Sequence, residues 1–272
     1  MACDATFSLV QRRHLDAGVV SRVTHRLLAL PVPPNFSLAQ SICSYGYFCL
    51  APNRWHAASS ASAEDGFLMR PLRYGKANQL EHNVAAVILQ GQKTTKKQAT
   101  TKKRKRGDTS ASGVSRWDTS RRVDPSFVLI AIPRCHEPVL TEEHEEQLRA
   151  QVHRMVRAEM DGQLLAFHAM HPVAKHRGYG RTYRSPTLFE DLVKTLTNCN
   201  VNWKRTIRMN ELLCQHYGNG SFPTAHELAA PGVDADTLKA KCNVGYRAPW
   251  IYELAQSVVD GSLDLVWLES TG

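Results

Sequence analysis

Two short segments hold polar residues in patterns that helix packing does not require. The first, TNCNVNWKR from Thr197 to Arg205, crowds Asn198, Asn200 and Asn202 ahead of Lys204 and Arg205. Asparagine tolerates left-handed backbone, and its amide bonds backbone and base edges alike, so such a loop can enter a DNA duplex. It reads equally as a polar turn between two helices. The second, CNVGYRAPW from Cys242 to Trp250, places a backbone-freeing Gly245, the flat ring of Tyr246 and the five-donor fork of Arg247 at a helix start. A cation there opposes the helix dipole and costs stability unless an anion or a base edge receives it.

Other reactive side chains fall into structural patterns. His168, His171 and His176 have no nearby Cys, Asp or Glu, so they read as solvated loop histidines and no metal site is expected. The seven cysteines, at 3, 43, 49, 135, 199, 214 and 242, form no CxxC pair and read as reduced thiols of an intracellular protein. Asp260 and Asp264 flank Gly261 and read as solvated helix caps, and Lys239 and Lys241 lie on a polar helix. No catalytic residue and no cofactor is assigned.

The elements that must position these segments differ between the two halves of the chain. Residues 1–34 read as a poorly ordered extension; Val19 to Leu30 has the pattern of a short helix ended by Pro31, Pro33 and Pro34. Residues 35–135 read as a small antiparallel β domain with strands at Tyr47–Leu50, Phe67–Leu72, Val84–Leu89 and Phe127–Ile132, and one helical turn near Leu38 to Ser44. Residues 140–272 read as helical. Thr141 opens a helix with Leu148, Val152, Met155 and Val156 on one face, and Thr187 with Glu190 forms a capping box ahead of Leu188 to Leu196. A further helix spans Trp203 to Tyr217, Thr224 and Glu227 box a short one, and the last runs from about Tyr246 to Gly261 with Pro249 in its first turn.

Charge and hydropathy narrow the function classes. At 272 residues with 43% hydrophobic and 22% charged content, wholesale disorder is excluded. No segment has the apolar length of a membrane span, so no membrane partner is expected. The net charge is +9, yet eight Lys or Arg without an acid lie in residues 93–106, inside an insertion at about 91–122 expected to be disordered. Its core, Lys102, Lys103, Arg104, Lys105 and Arg106, has the composition of a nuclear import signal; a solvated charge run or a loop grazing DNA is the other reading. An import receptor and a nuclear location are the expectation, and the remainder of the chain is close to neutral.

The order of parts resembles the helix-hairpin-helix (HhH-GPD) DNA glycosylases of base excision repair. The similarity rests on SPTLFEDLVKTLTNCNVNWKRT, then FPTAHELA, then LKAKCNVGYRAPWIYELAQSVVDGSLDL, behind a small sheet domain. It covers roughly Phe36 to Leu268 and is strongest to the 8-oxoguanine branch and to plant-like members similar in FSLAQSICSYGYFCLAPNRW. The resemblance implies an α+β fold: a small N-terminal antiparallel β-sheet domain followed by an all-helical, incomplete HhH-GPD domain. It implies that Asn200 fills the gap left when a damaged nucleotide is flipped out, that Arg205 and Arg247 hold the orphaned cytosine, and that Tyr246 wedges beside it. Extruding a base costs a few kcal/mol, which a plug, a wedge and bidentate donors offset in part.

The family's glycine-rich hairpin and its catalytic Asp and Lys have no counterpart before the final LVWLESTG. The expectation is therefore a C-terminally truncated member: a protein, monomeric, that binds duplex DNA bearing an oxidised or alkylated base for N-glycosidic bond hydrolysis but lacks its own catalytic residues. The alternatives are a catalytically inactive nuclear DNA-binding protein and an unstable truncated isoform.

Overall fold

The computed structural model describes residues 25–34, 36–57, 66–76, 79–90, 127–133, 140–159 and 161–271. Residues 1–24, the basic insertion at 91–122 and Lys102 to Arg106 within it lie outside them. Five strands form one antiparallel sheet in the order β1-β5-β4-β3-β2, with β1 His25–Pro31, β2 Arg54–His56, β3 Phe67–Lys76, β4 Gln79–Gln90 and β5 Phe127–Pro133. The helices are α1 Leu38–Ile42, α2 Glu142–Val156, α3 Gly162–Met170, α4 Pro172–Arg177, α5 Leu188–Asn198, α6 Trp203–His216, α7 Ala225–Leu228, α8 Ala235–Cys242, α9 Ala248–Val259 and α10 Leu265–Ser270. This is the α+β arrangement expected, a sheet followed by helices.

Four local expectations are corrected. The C-terminal part of the helix expected over 19–30 is instead a strand: His25–Pro31 pairs with β5 from His25↔Pro133 to Pro31↔Phe127 and turns Leu28 and Leu30 inward. The sheet thus begins inside the segment read as an extension, because a short apolar run takes its conformation from the strand it meets. Tyr47–Leu50, expected as a strand, lies on a 3-10 turn at Gly46–Cys49, closed by the Leu50 N–H on the Tyr47 carbonyl at 3.0 Å. His168 is no solvated loop residue; it is buried on α3, and its Nε2 donates to the Tyr179 carbonyl at 2.6 Å. Thr187 caps α5 through the Glu190 N–H, but the Glu190 side chain does not complete the box and turns into the interior instead.

Two cores form. The first packs Leu68, Leu72, Ile88 and Ile130 of the sheet against α1 and against the α2 stripe of Leu148, Val152, Met155 and Val156. Complete burial of each such side chain contributes about 1.5–3 kcal/mol, which fixes α2 to the sheet although its sequence pattern groups it with the later helices. The second core, from Phe189 to Ala255, is built mainly from helices with Phe222 and Val244 from the loops between them, so the two part between Tyr183 and Phe189 rather than near residue 140.

Polar latches from β3 and β4 join the halves. Arg70 donates to Glu190 at 3.0 and 3.4 Å and to Asn53 at 2.9 Å, and Lys194 reaches the same carboxylate at 2.6 Å. All three charged side chains are buried, and the two cations hold the Glu190 carboxyl down to about 2 despite its burial. Tyr183 shares Asn53 through its hydroxyl at 2.9 Å. Nearby, Arg73 pairs with Glu227 at 2.9 Å and donates to the Gly218 carbonyl at 3.0 Å. Ser221 Oγ donates to Asn83 Oδ1 at 2.8 Å.

Candidate nucleic-acid interface

The join between α5 and α6 is built on a buried polar network. Asn210 donates to Thr197 Oγ1 at 2.9 Å and to the Thr206 carbonyl at 2.8 Å, while Thr206 Oγ1 donates to the Thr197 carbonyl at 3.3 Å. These bonds hold the two helix ends together and leave the residues between them to form an exposed loop. The three asparagines then divide the work. Asn198 accepts from Thr206 Oγ1 at 3.4 Å, Asn202 caps α6 through the Arg205 N–H at 3.0 Å, and Asn200 sits in left-handed backbone at φ 48°. Asparagine is among the few side-chain-bearing residues that adopt this conformation readily.

The second segment arrives through α8 and the 3-10 turn at Gly245–Arg247, where Gly245 takes φ 59°. Arg247 is only 5% exposed. Its guanidinium donates to the carbonyls of Cys199 and Asn200, the latter at 3.4 Å, and to that of Val244 at 3.4 Å. The cation at the start of α9, which the dipole disfavours, is thus received by carbonyls of its own chain. The fork ties the α5–α6 loop to the start of α9.

Tyr246 is held from three sides. The Arg247 guanidinium lies 4.5 Å from its ring centroid, its hydroxyl donates to the Cys199 carbonyl at 3.4 Å, and Trp250 meets it edge-on at 5.7 Å. About half of the ring remains exposed. Asn200, Tyr246 and Arg247 are therefore brought together. Arg205, in the first turn of α6, is exposed and contacts neither Tyr246 nor Arg247; its side chain makes no hydrogen bond or ion pair among the described residues. A partnerless cation in a first helical turn is poised to receive an anion or a base edge.

Further aromatic residues that sequence reasoning passed over border this loop. Trp203, the first residue of α6, is partly exposed and lies so close over Gly46 that a Cβ there would stand 2.9 Å from the indole. Tyr47 meets Thr195 of α5 through a 3.3 Å hydroxyl contact, and Tyr45 donates to the Tyr183 carbonyl at 2.7 Å. The sequence signal was there in the glycine between two tyrosines, but its partner lies more than 150 residues away.

A cleft of about 740 Å³ opens at the other end of α5. Arg70, Glu190, Phe222, Leu265 and Val266 are among its lining residues. The 11 residues of α5 separate it from the asparagine loop by about 16 Å along the helix axis. Of the two acids that flank Gly261, Asp264 lines this cleft and both are engaged locally: Asp260 accepts from the Ser262 N–H and Asp264 caps α10. Among the described residues no group of His, Cys, Asp and Glu has the arrangement of a metal site, and no helix is long and apolar enough to cross a membrane.

No family model and no curated protein sequence matches the chain. Among solved structures it is similar to the 3-methyladenine DNA-glycosylase from Archaeoglobus fulgidus, at a TM-score of 0.53 and 12% identity. The similarity covers 84% of this chain and 66% of that one. The chain shares the general α+β fold of that structure, with an N-terminal antiparallel sheet and a helical second half.

Proposed function

We propose that the protein binds duplex DNA in base excision repair and opens the helix at an oxidised or alkylated base. One observation carries this reading. The Arg247 fork draws two segments 48 residues apart into a single surface, on which Asn200 and Tyr246 are exposed, and the exposed Arg205 follows in the first turn of α6. In this reading Asn200 occupies the space vacated by the extruded nucleotide and Tyr246 enters the step beside it. Arg205 meets the estranged base, and Arg247 holds the loop in place. Extrusion costs least at a damaged or mismatched pair, which is a source of lesion preference.

The engagement of Asp260 and Asp264 as caps favours binding without base release by these acids. The test is fluorescence anisotropy with fluorescein-labelled duplexes carrying 8-oxoguanine opposite cytosine, an alkylated adenine, or no lesion, followed by alkaline treatment to reveal abasic sites. Tighter binding to a lesion duplex is expected, with Arg205→Ala and Asn200→Ala each removing most of that preference. Equal affinity for all duplexes, or variants that bind like wild type, would refute the reading. We propose a nuclear location on the strength of Lys102 to Arg106. A fluorescent fusion should lose nuclear accumulation when these five residues become alanine, and unchanged distribution would refute that address.

A further inference from the structure

The aromatic residue that most needs a partner at this surface is one that neither sequence segment had singled out for DNA. α9 turns Ala248, Ile251 and Ala255 into the helical core, a spacing that leaves Trp250 on the opposite face, half exposed. Its indole N–H has no hydrogen-bond partner among the described residues. Large amphipathic rings that keep an apolar face and an idle donor at the surface are typical of recognition sites rather than of solvated helix faces.

Tyr246 and Trp250 are also unequal in freedom. Tyr246 is fixed by the Arg247 guanidinium over its ring, the Cys199 carbonyl on its hydroxyl and Trp250 at nearly a right angle. Trp250 meets one aromatic neighbour, Tyr246, at an interplanar angle of 85°, and half of its surface is open. The two rings make a corner, one wall buttressed and the other open.

We infer that Trp250 is a second DNA-contacting ring of this surface, receiving an unstacked base or deoxyribose next to the step that Tyr246 enters and donating its indole N–H to a sugar or phosphate oxygen. Stacking of this kind tolerates any base, because every base presents a π-face, so Trp250 supplies affinity for the distorted duplex while Arg205 supplies selectivity. The inference rests on the DNA reading above.

The experiment compares wild type, Trp250→Ala, Trp250→Phe and Trp267→Ala for affinity to the 8-oxoguanine duplex. Trp267 is the control: it is exposed, but on α10, which borders the cleft at the far end of α5. Trp250→Ala should weaken binding about tenfold, Trp250→Phe should restore most of the loss through its ring, and Trp267→Ala should leave affinity unchanged. Tryptophan emission should fall on DNA addition in wild type and fall less in Trp250→Phe. Failure of wild type to bind any duplex overturns the DNA reading and this inference with it. Binding by wild type that Trp250→Ala leaves unchanged, or an equal loss in Trp250→Ala and Trp267→Ala, overturns this inference alone. Thermal melts coincident with wild type establish that the variants are folded, and Trp250→Phe keeps the edge contact to Tyr246 should the alanine variant melt early.

Discussion

The buried ion cluster at the junction of the two halves makes a prediction whose size follows from its composition. Arg70, Lys194 and Glu190 place two cations on one carboxylate with side-chain exposures of 2%, 0% and 5%. Glu190→Gln keeps the shape but leaves two buried cations facing a neutral amide, the situation in which a broken buried pair costs about 3–5 kcal/mol. The two cations also hold the Glu190 carboxyl down to about 2, so part of the stability of the folded state depends on its ionisation. Because the folded value is the lower one, this stability is complete above pH 4.5 and is lost as pH falls toward 2. Lys194→Met acts in the opposite sense: it removes the excess cation, leaves the Arg70–Glu190 pair intact and should change stability by less than about 1 kcal/mol. Equilibrium unfolding in urea at pH 7 and at pH 3.5 measures both. A loss below about 1 kcal/mol for Glu190→Gln, or a Lys194→Met loss equal to it, would refute the reasoning.

Three further outcomes are expected. Gly218→Ala would place a Cβ 1.9 Å from the Ser221 carbonyl oxygen, beside the carbonyl that Arg73 uses, so it should cost more than about 2 kcal/mol and lower the melting temperature; an unchanged melt contradicts the geometry. Arg247→Lys replaces the planar fork by a single ammonium that cannot reach both Cys199 and Asn200, so amides of the asparagine loop should exchange hydrogen several-fold faster while those of the α9 core stay protected. Burial pushes the Cys214 and Cys242 thiols up to about 12 and Cys43 to about 11. Among the described cysteines, maleimide at pH 7.5 should therefore react slowly with exposed Cys43 and reach buried Cys214 and Cys242 only on unfolding.

How much of this was legible depends on the range of the interaction. β3, β4 and β5 were visible because Phe67–Leu72, Val84–Leu89 and Phe127–Ile132 are dense in branched and apolar residues, and α2, α5, α6 and α9 because their stripes repeat at helical spacing. The strand character of His25–Pro31 was not, since it depends on β5 about 100 residues later. The attachment of α2 to the sheet was hidden for the same reason: a stripe declares that it will be buried, not against what. At the candidate site, the residue types of Asn200 and Arg247 were conspicuous, but the fork of Arg247 was read as open to a base when it is occupied by three carbonyls of the chain. Trp203 and Trp250 were absorbed into helical patterns because exposure cannot be read from type.

The fastening of Asn200 and Cys199 by Arg247 makes the surface depend on residues late in the sequence. A nascent chain that has emerged as far as α8 contains the whole sheet, the asparagine loop and Arg205, yet holds none of them in register with Tyr246. The surface is complete only when the Gly245–Arg247 turn lies back across an interval of 48 residues. Completion of the shared surface is thereby tied to closure of the helical core, in which Ala248 and Ile251 of the following helix are buried.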